Sequence, residues 1–136
     1  MLINCIEQLI QYFNGQRRQF DLPLNQAGTG FQQEVWNYLL AIPFGRTISY
    51  LELARRTGDS KATRAVASAN GRNNIAIIVP CHRVIGANGR LTGFSANGGI
   101  ETKLRLLSIE GATIGEAPTL FENLPLAVNA VRRTEY

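Results

Sequence analysis

Apolar residues recur at helical spacing along the first half of the chain. Ile3, Ile6, Leu9, Ile10 and Phe13 share one face of a helix expected over about residues 2 to 14, which Asn14-Gly15 ends. Phe31, Val35, Trp36, Leu39 and Leu40 form a second stripe opposite Gln32, Gln33 and Asn37, and Pro43-Phe44-Gly45 closes it. Between them, Arg17 to Gly30 carries Pro23, Gly28 and Gly30 and reads as an extended connector, so the compact domain is expected to begin near Gly30. Ser49 and Glu52 are spaced as a capping box, and Leu51, Leu53 and Ala54 continue a short third helix to Gly58. After the turn Gly58-Asp59-Ser60, the run Lys61 to Asn70 is rich in alanine and stops at Gly71. Two short helices joined by a tight glycine turn predict a helix-turn-helix.

The pattern then changes. Ile75-Ala76-Ile77-Ile78-Val79 is a β-branched run ended by Pro80 and is expected to be one buried strand, with Cys81-His82 at its end. Val84-Ile85 and Leu91, flanking Asn88-Gly89, suggest a small hairpin, followed by a glycine-rich loop from Gly93 to Gly99. A last helix over about Ile100 to Ile109 carries Leu104, Leu106 and Leu107 and stops at Gly111. Residues 112–136, with Pro118 and Pro125, receive no element. The fold class is α+β, mainly helical.

The chain has 136 residues, 45% of them apolar, enough for one core. A formal charge of +4 suits a polyanionic partner. No secretory signal and no apolar run of membrane-spanning length is present, so a soluble, cytoplasmic protein without a membrane partner is expected. Cys5 and Cys81 are expected as free thiols, and two cysteines with one histidine make no plausible zinc set, so neither metal nor cofactor is anticipated.

Chemistry concentrates in Pro80-Cys81-His82-Arg83-Val84, where a thiol adjoins the only histidine. The thiolate is the nucleophile and a free cysteine titrates near 8.5, so a nearby base or cation, His82 or Arg83, has to raise its ionised fraction. Neighbours on extended backbone point to opposite faces, so a contact between Cys81 and His82 requires a turn or a bridging water. Taken alone, the pentapeptide fits a small buried cysteine beside a satisfied polar neighbour better than it fits a reactive site.

The longer stretch Pro80-Cys81-His82-Arg83-Val84-Ile85-Gly86, followed by Leu91-Thr92-Gly93-Phe94, resembles the active-site signature of the O6-alkylguanine-DNA alkyltransferases, also called methylated-DNA-protein-cysteine methyltransferases. Ordered matches continue upstream through Phe31-Gln32, Val35-Trp36, Ile42-Pro43, Ser49-Tyr50, Arg64-Ala65-Val66, Ala69-Asn70 and Asn73, and downstream through Lys103, Leu106-Leu107 and Glu110-Gly111. The resemblance implies a winged-helix-like DNA-binding domain over residues 30–111, with a helix and linker at 1–29, a tail at 112–136, and a short strand or hairpin carrying the reactive cysteine. It implies repair by direct reversal: O6-alkylguanine is flipped out of double-stranded DNA, and the alkyl group passes irreversibly to Cys81 in a stoichiometric, single-turnover reaction.

The resemblance makes His82 the base acting through a water, Glu110 its orienting carboxylate, Tyr50 the group that assists the leaving guanine, and Asn73 the residue that holds the active-site turn. Arg64 becomes the finger that fills the space of the flipped base, with Ser60, Thr63 and Ala65 beside it on a helix that approaches the minor groove without reading sequence. Ser95, Phe94 and Val84 line the base pocket. Phe94 stands where a tyrosine is common, and Ser95-Ala96-Asn97 lengthens the loop. The sheet-containing N-terminal domain of many members is not part of this sequence. The protein is expected to act as a monomer.

Three other readings use the same residues. A non-enzymatic alkyltransferase-like protein that marks lesions would lack the acceptor cysteine. A hydrolase built on Cys81, His82 and Glu110 would turn over without DNA. A winged-helix transcription factor would need more base-reading side chains than an alanine-rich helix offers.

Overall fold

The structure is a computed structural model that describes residues 2–86 and 99–112. Five helices dominate it: α1 (Leu2–Phe13), α2 (Gly30–Leu40), α3 (Tyr50–Arg56), α4 (Thr63–Gly71) and α5 (Gly99–Glu110), with two short strands, β1 (Ile48–Ser49) and β2 (Val84–Ile85). The α+β, mainly helical class is what the sequence predicts. None of the described helices is long and apolar enough to cross a membrane.

Local signals account for most boundaries. Thr29 caps α2 with a reciprocal box, its hydroxyl accepting from the Gln32 amide while the Gln32 side chain accepts from the Thr29 amide. Ser49 accepts from the Glu52 amide at 3.0 Å and starts α3. A 3₁₀ turn, Ser60–Ala62, leads into α4. At the far end Ala112 donates to the Leu107 carbonyl and Gly111 to that of Ser108, the Schellman pattern that stops α5 at its glycine. The core lies between α2, α3 and α4, with Val35, Trp36, Leu39, Leu53, Ala54, Val66 and Ala69 buried beside Cys81 and Val84. Trp36 closes the seam between α2 and α4 by donating its indole N–H to the Ala69 carbonyl at 2.9 Å.

Three expectations change. The run Ile75 to Val79 is a tight turn closed by the Ala76–Val79 bridge, and Ile77 adopts a left-handed φ of 76°. Asn73 causes this: its Oδ1 accepts from the Ile75 amide and its Nδ2 donates to the Val79 carbonyl, so the segment's polar groups are satisfied across the turn instead of along a ladder. Cys81 therefore begins a 3₁₀ turn, Cys81–Arg83, rather than ending a strand. Val84-Ile85 does form a strand, paired in parallel with Ile48-Ser49; the expected partner Leu91 and the glycine-rich loop up to Gly98 lie outside the described residues.

The orientation of α1 is the third surprise. Its apolar stripe faces outward, with Ile3 72% and Ile10 53% exposed, and its buried residues are Gln8 and Tyr12. The Gln8 amide clamps the backbone of Asp21 through both its N–H and its oxygen. The Tyr12 ring packs among Phe13, Phe20 and Phe44. These contacts fold the connector back over the domain.

Candidate active site

Three segments converge on one buried carboxylate. Glu110, at the end of α5, receives the Gly45 amide and Arg83 Nε on Oε1, and the Tyr12 hydroxyl, His82 Nε2 and Arg83 Nη2 on Oε2, at 2.6 to 3.1 Å. Gly45 reaches it with a φ of 82°, and a side chain there would press on the Glu110 carbonyl at 3.2 Å. Burial alone would push the carboxyl up, but the charges and hydrogen bonds of His82 and Arg83 together bring it down to about 2. It is ionised at any working pH.

An ionised carboxylate only accepts, so His82 Nε2, 2.7 Å away, carries the proton. In the neutral ring the other nitrogen of this fully buried side chain, Nδ1, presents a lone pair, and it has no hydrogen-bond partner among the described residues. The 3₁₀ turn is what allows Cys81 and His82, neighbours in sequence, to belong to one site. Arg83 does not serve the thiol; it pairs with Glu110 and donates to the Ile42 carbonyl at 2.6 Å.

The cation that acts on Cys81 is Lys103. Burial pushes the thiol up from its ordinary range, while a hydrogen bond from Asn73 and the charge of Lys103 pull it back. Lys103 is itself fully buried and lowered to about 8 by that burial, the charge of Cys81 opposing the shift. Its ammonium donates to the Val84 carbonyl at 2.6 Å and lies 5.8 Å from the Tyr50 ring centre. Tyr50, half-buried at the start of α3, is thus within the same neighbourhood. The Val84 side chain is enclosed in the core beside Cys81.

Asn73 is buried and holds the turn before Cys81, and it is held in turn by Gln26 of the connector, whose amide donates to Oδ1 at 3.0 Å. Asn70 on α4 reaches the Cys81 carbonyl at 3.4 Å. Ser60, Arg64 and Ala65 are exposed along the turn and α4; Thr63 is half-buried and donates its hydroxyl to the Ser60 carbonyl. Arg55, Arg56, Lys61 and Arg72 are exposed on the same helix pair, giving it a basic surface. Phe94 and Ser95 lie outside the described residues. Among the described residues, no three His, Cys, Asp or Glu side chains come together to hold a metal ion.

The described geometry therefore unites Cys81, His82, Glu110 and Asn73, with Tyr50 nearby and Arg64 on the outer helix. The sequence reading missed Tyr12 and Gln26, and gave Asn70 and Lys103, both among its matches, no role. Nothing in local spacing announces Tyr12, which lies 98 residues from its partner.

The profile of "6-O-methylguanine DNA methyltransferase, DNA binding domain" matches residues 30–112. The chain belongs to this family. A methylated-DNA--protein-cysteine methyltransferase of Mycobacterium tuberculosis is 52% identical over 118 residues, 87% of this chain and 70% of that protein. The constitutive one of Bacillus subtilis is 53% identical over 109 residues, 80% and 66% of the two chains. A crystal structure of Mycobacterium tuberculosis OGT in complex with DNA superposes with a TM-score of 0.76 at 54% identity, covering 79% of this chain and 66% of that one. The methyltransferase match takes in every predicted site residue, whereas Tyr12 and Gln26 precede it.

Proposed function

We propose that this protein repairs double-stranded DNA by flipping out O6-alkylguanine and moving the alkyl group irreversibly onto Cys81, one transfer per molecule. Family membership supports alkyl transfer to cysteine in DNA repair. The observation that carries the site assignment is the single buried array in which Glu110 fixes the proton of His82 on Nε2 and leaves Nδ1 free to accept.

His82 takes the Cys81 proton through a bridging water, and Lys103 stabilises the resulting thiolate. The sulfur attacks the alkyl carbon; an S–C bond forms as the C–O6 bond breaks, and its electron pair leaves with the guanine. Tyr50 donates a hydrogen bond to that base, and the proton that the thiol gave to His82 passes on to the guanine anion, which returns the imidazole to its neutral form and balances the charge. The S–C bond of the thioether is not cleaved by acid–base chemistry, so the thiol is not regenerated and the protein is spent.

Asn73 keeps the turn ahead of Cys81 in place. Arg64 enters the stack vacated by the flipped nucleotide, with Ser60, Thr63 and Ala65 against the minor groove; Phe94, Ser95 and Val84 border the base. Binding is largely sequence-independent and weakens with salt. One chain supplies every group, so a monomer suffices, and a reducing cytoplasm keeps Cys81 a thiol.

Intact-protein mass spectrometry after incubation with an O6-methylguanine duplex tests the reading. We expect one methyl per chain, mapped to Cys81, with the half-buried Cys5 as an unreacted internal control. Cys81→Ala should bind the duplex and gain no mass. A wild-type chain that binds the lesion tightly but keeps its mass would overturn the assignment in favour of lesion marking.

A further inference from the structure

Tyr12 is fully buried, and its hydroxyl is 2.6 Å from Glu110 Oε2, the same oxygen that receives His82 Nε2. It arrives from α1, outside the matched family segment, and its ring is held on Phe13, Phe20 and Phe44. A tyrosine chosen only for packing could be a phenylalanine. Here the phenol competes for the negative charge of the oxygen that faces the histidine.

We infer that Tyr12 is a positioning residue of the transfer reaction, which by sharing Glu110 Oε2 with His82 limits how strongly the carboxylate holds a proton on the imidazole ring. The inference rests on the proposed function for its kinetic consequence, but not for the interaction itself. The mechanism requires neutral His82 to accept a proton on Nδ1. A carboxylate with fewer donors concentrates its charge on Nε2–H, favours the imidazolium and leaves less of the neutral ring available to accept a proton near neutrality. By withdrawing part of that charge, the phenol loosens the carboxylate's hold on the Nε2 proton.

The ionisable groups around the pair are Tyr12 from α1, Arg83 from the 3₁₀ turn, Arg18 of the connector, which lies across the Phe44 ring, and the Cys81–Lys103 couple. Tyr12 stays a donor throughout, because burial and then the charge of Glu110 push its phenol well above the usual range. The Arg83 guanidinium has donors only, and both of its contacts to Glu110 are independent of the phenol. Any change in the histidine near neutrality on removal of the phenol therefore reports on Oε2.

The experiment compares wild type with Tyr12→Phe in the full chain. The sequence has one histidine, so the His82 ring signals can be followed by NMR titration without ambiguity. In parallel, the single-turnover rate of methyl transfer is measured against pH with a duplex containing O6-methylguanine. We expect the His82 titration to move up by about half a unit or more, and the acid limb of the rate profile to move with it. The rate should fall about threefold or more on that limb and recover at higher pH. An unmoved histidine titration in a folded variant, or a rate lowered equally at every pH, would reduce Tyr12 to a packing residue and overturn the inference. Should Tyr12→Phe not fold, Phe44→Leu, which loosens the ring's seat but keeps the phenol, must leave the titration near wild type. A shifted titration in that variant would likewise overturn the inference. If wild type transfers no methyl yet its histidine shifts on Tyr12→Phe, the functional reading falls while the positioning of His82 stands.

Discussion

Glu110 shows how far a residue's surroundings can depart from its local sequence. A carboxylate in the last turn of a helix opposes the helix dipole and is ordinarily a solvated group. Here its side chain is fully enclosed and its charge is shared by Tyr12, Gly45, His82 and Arg83. The resemblance to a family singled out Glu110, Cys81, His82 and Asn73, because these lie within one ordered set of motifs. It could not reveal Tyr12 or Gln26, whose partners are 98 and 47 residues away. The buried carboxylate also sets an acid limit on stability. Its pKa falls from 4.5 to about 2 on folding, so the unfolded chain takes up a proton first as pH drops. The stability it contributes is complete above about pH 4.5 and lost as pH falls through about 2, a linkage of about 3 kcal/mol. Glu110→Gln should flatten this limb in urea unfolding series and, by leaving Arg83 buried without its counter-charge, lower stability by about 3 kcal/mol at neutral pH. An unaltered acid limb would show that another carboxylate dominates.

Among the elements, α1 separates the two things that a hydrophobic stripe is usually taken to say. Its period correctly predicts a helix, yet the stripe faces solvent, because side-chain hydrogen bonds from Gln8 and the aromatic seat of Tyr12 decide which face docks. The Ile75 to Val79 run misleads in a complementary way. Its composition suits a strand, but a ladder needs a partner, and the Asn73 side chain satisfies the segment as a turn. By contrast, α3 and α4 were legible because caps, glycines and small residues act locally. On α1, Ile3→Glu and Ile6→Glu should shift thermal stability by less than about 0.5 kcal/mol, whereas Tyr12→Ala should cost about 3 kcal/mol or more. Comparable losses at Ile3 would mean that the stripe is covered in solution.

For the molecule as a whole, the connector is what turns a helix-turn-helix and an outlying helix into one closed structure. Gln26 ties it to Asn73, and Gly28 lets its backbone pass directly over Trp36: a methyl there would sit 2.5 Å from the indole Cη2. The indole cannot readily yield, being anchored to the Ala69 carbonyl. Gly28→Ala should therefore lower stability by about 1–3 kcal/mol in denaturant unfolding, and a neutral result would show that the connector lifts freely. Glycine and proline in this stretch announced a loop, but no one-dimensional pattern reports that the loop returns to the active site. The same arrangement equips the protein with its own optical gauge. Its only tryptophan sits dry where α2, α4 and the connector meet, so a blue-shifted emission that moves to the red would register the parting of these pieces without any attached label.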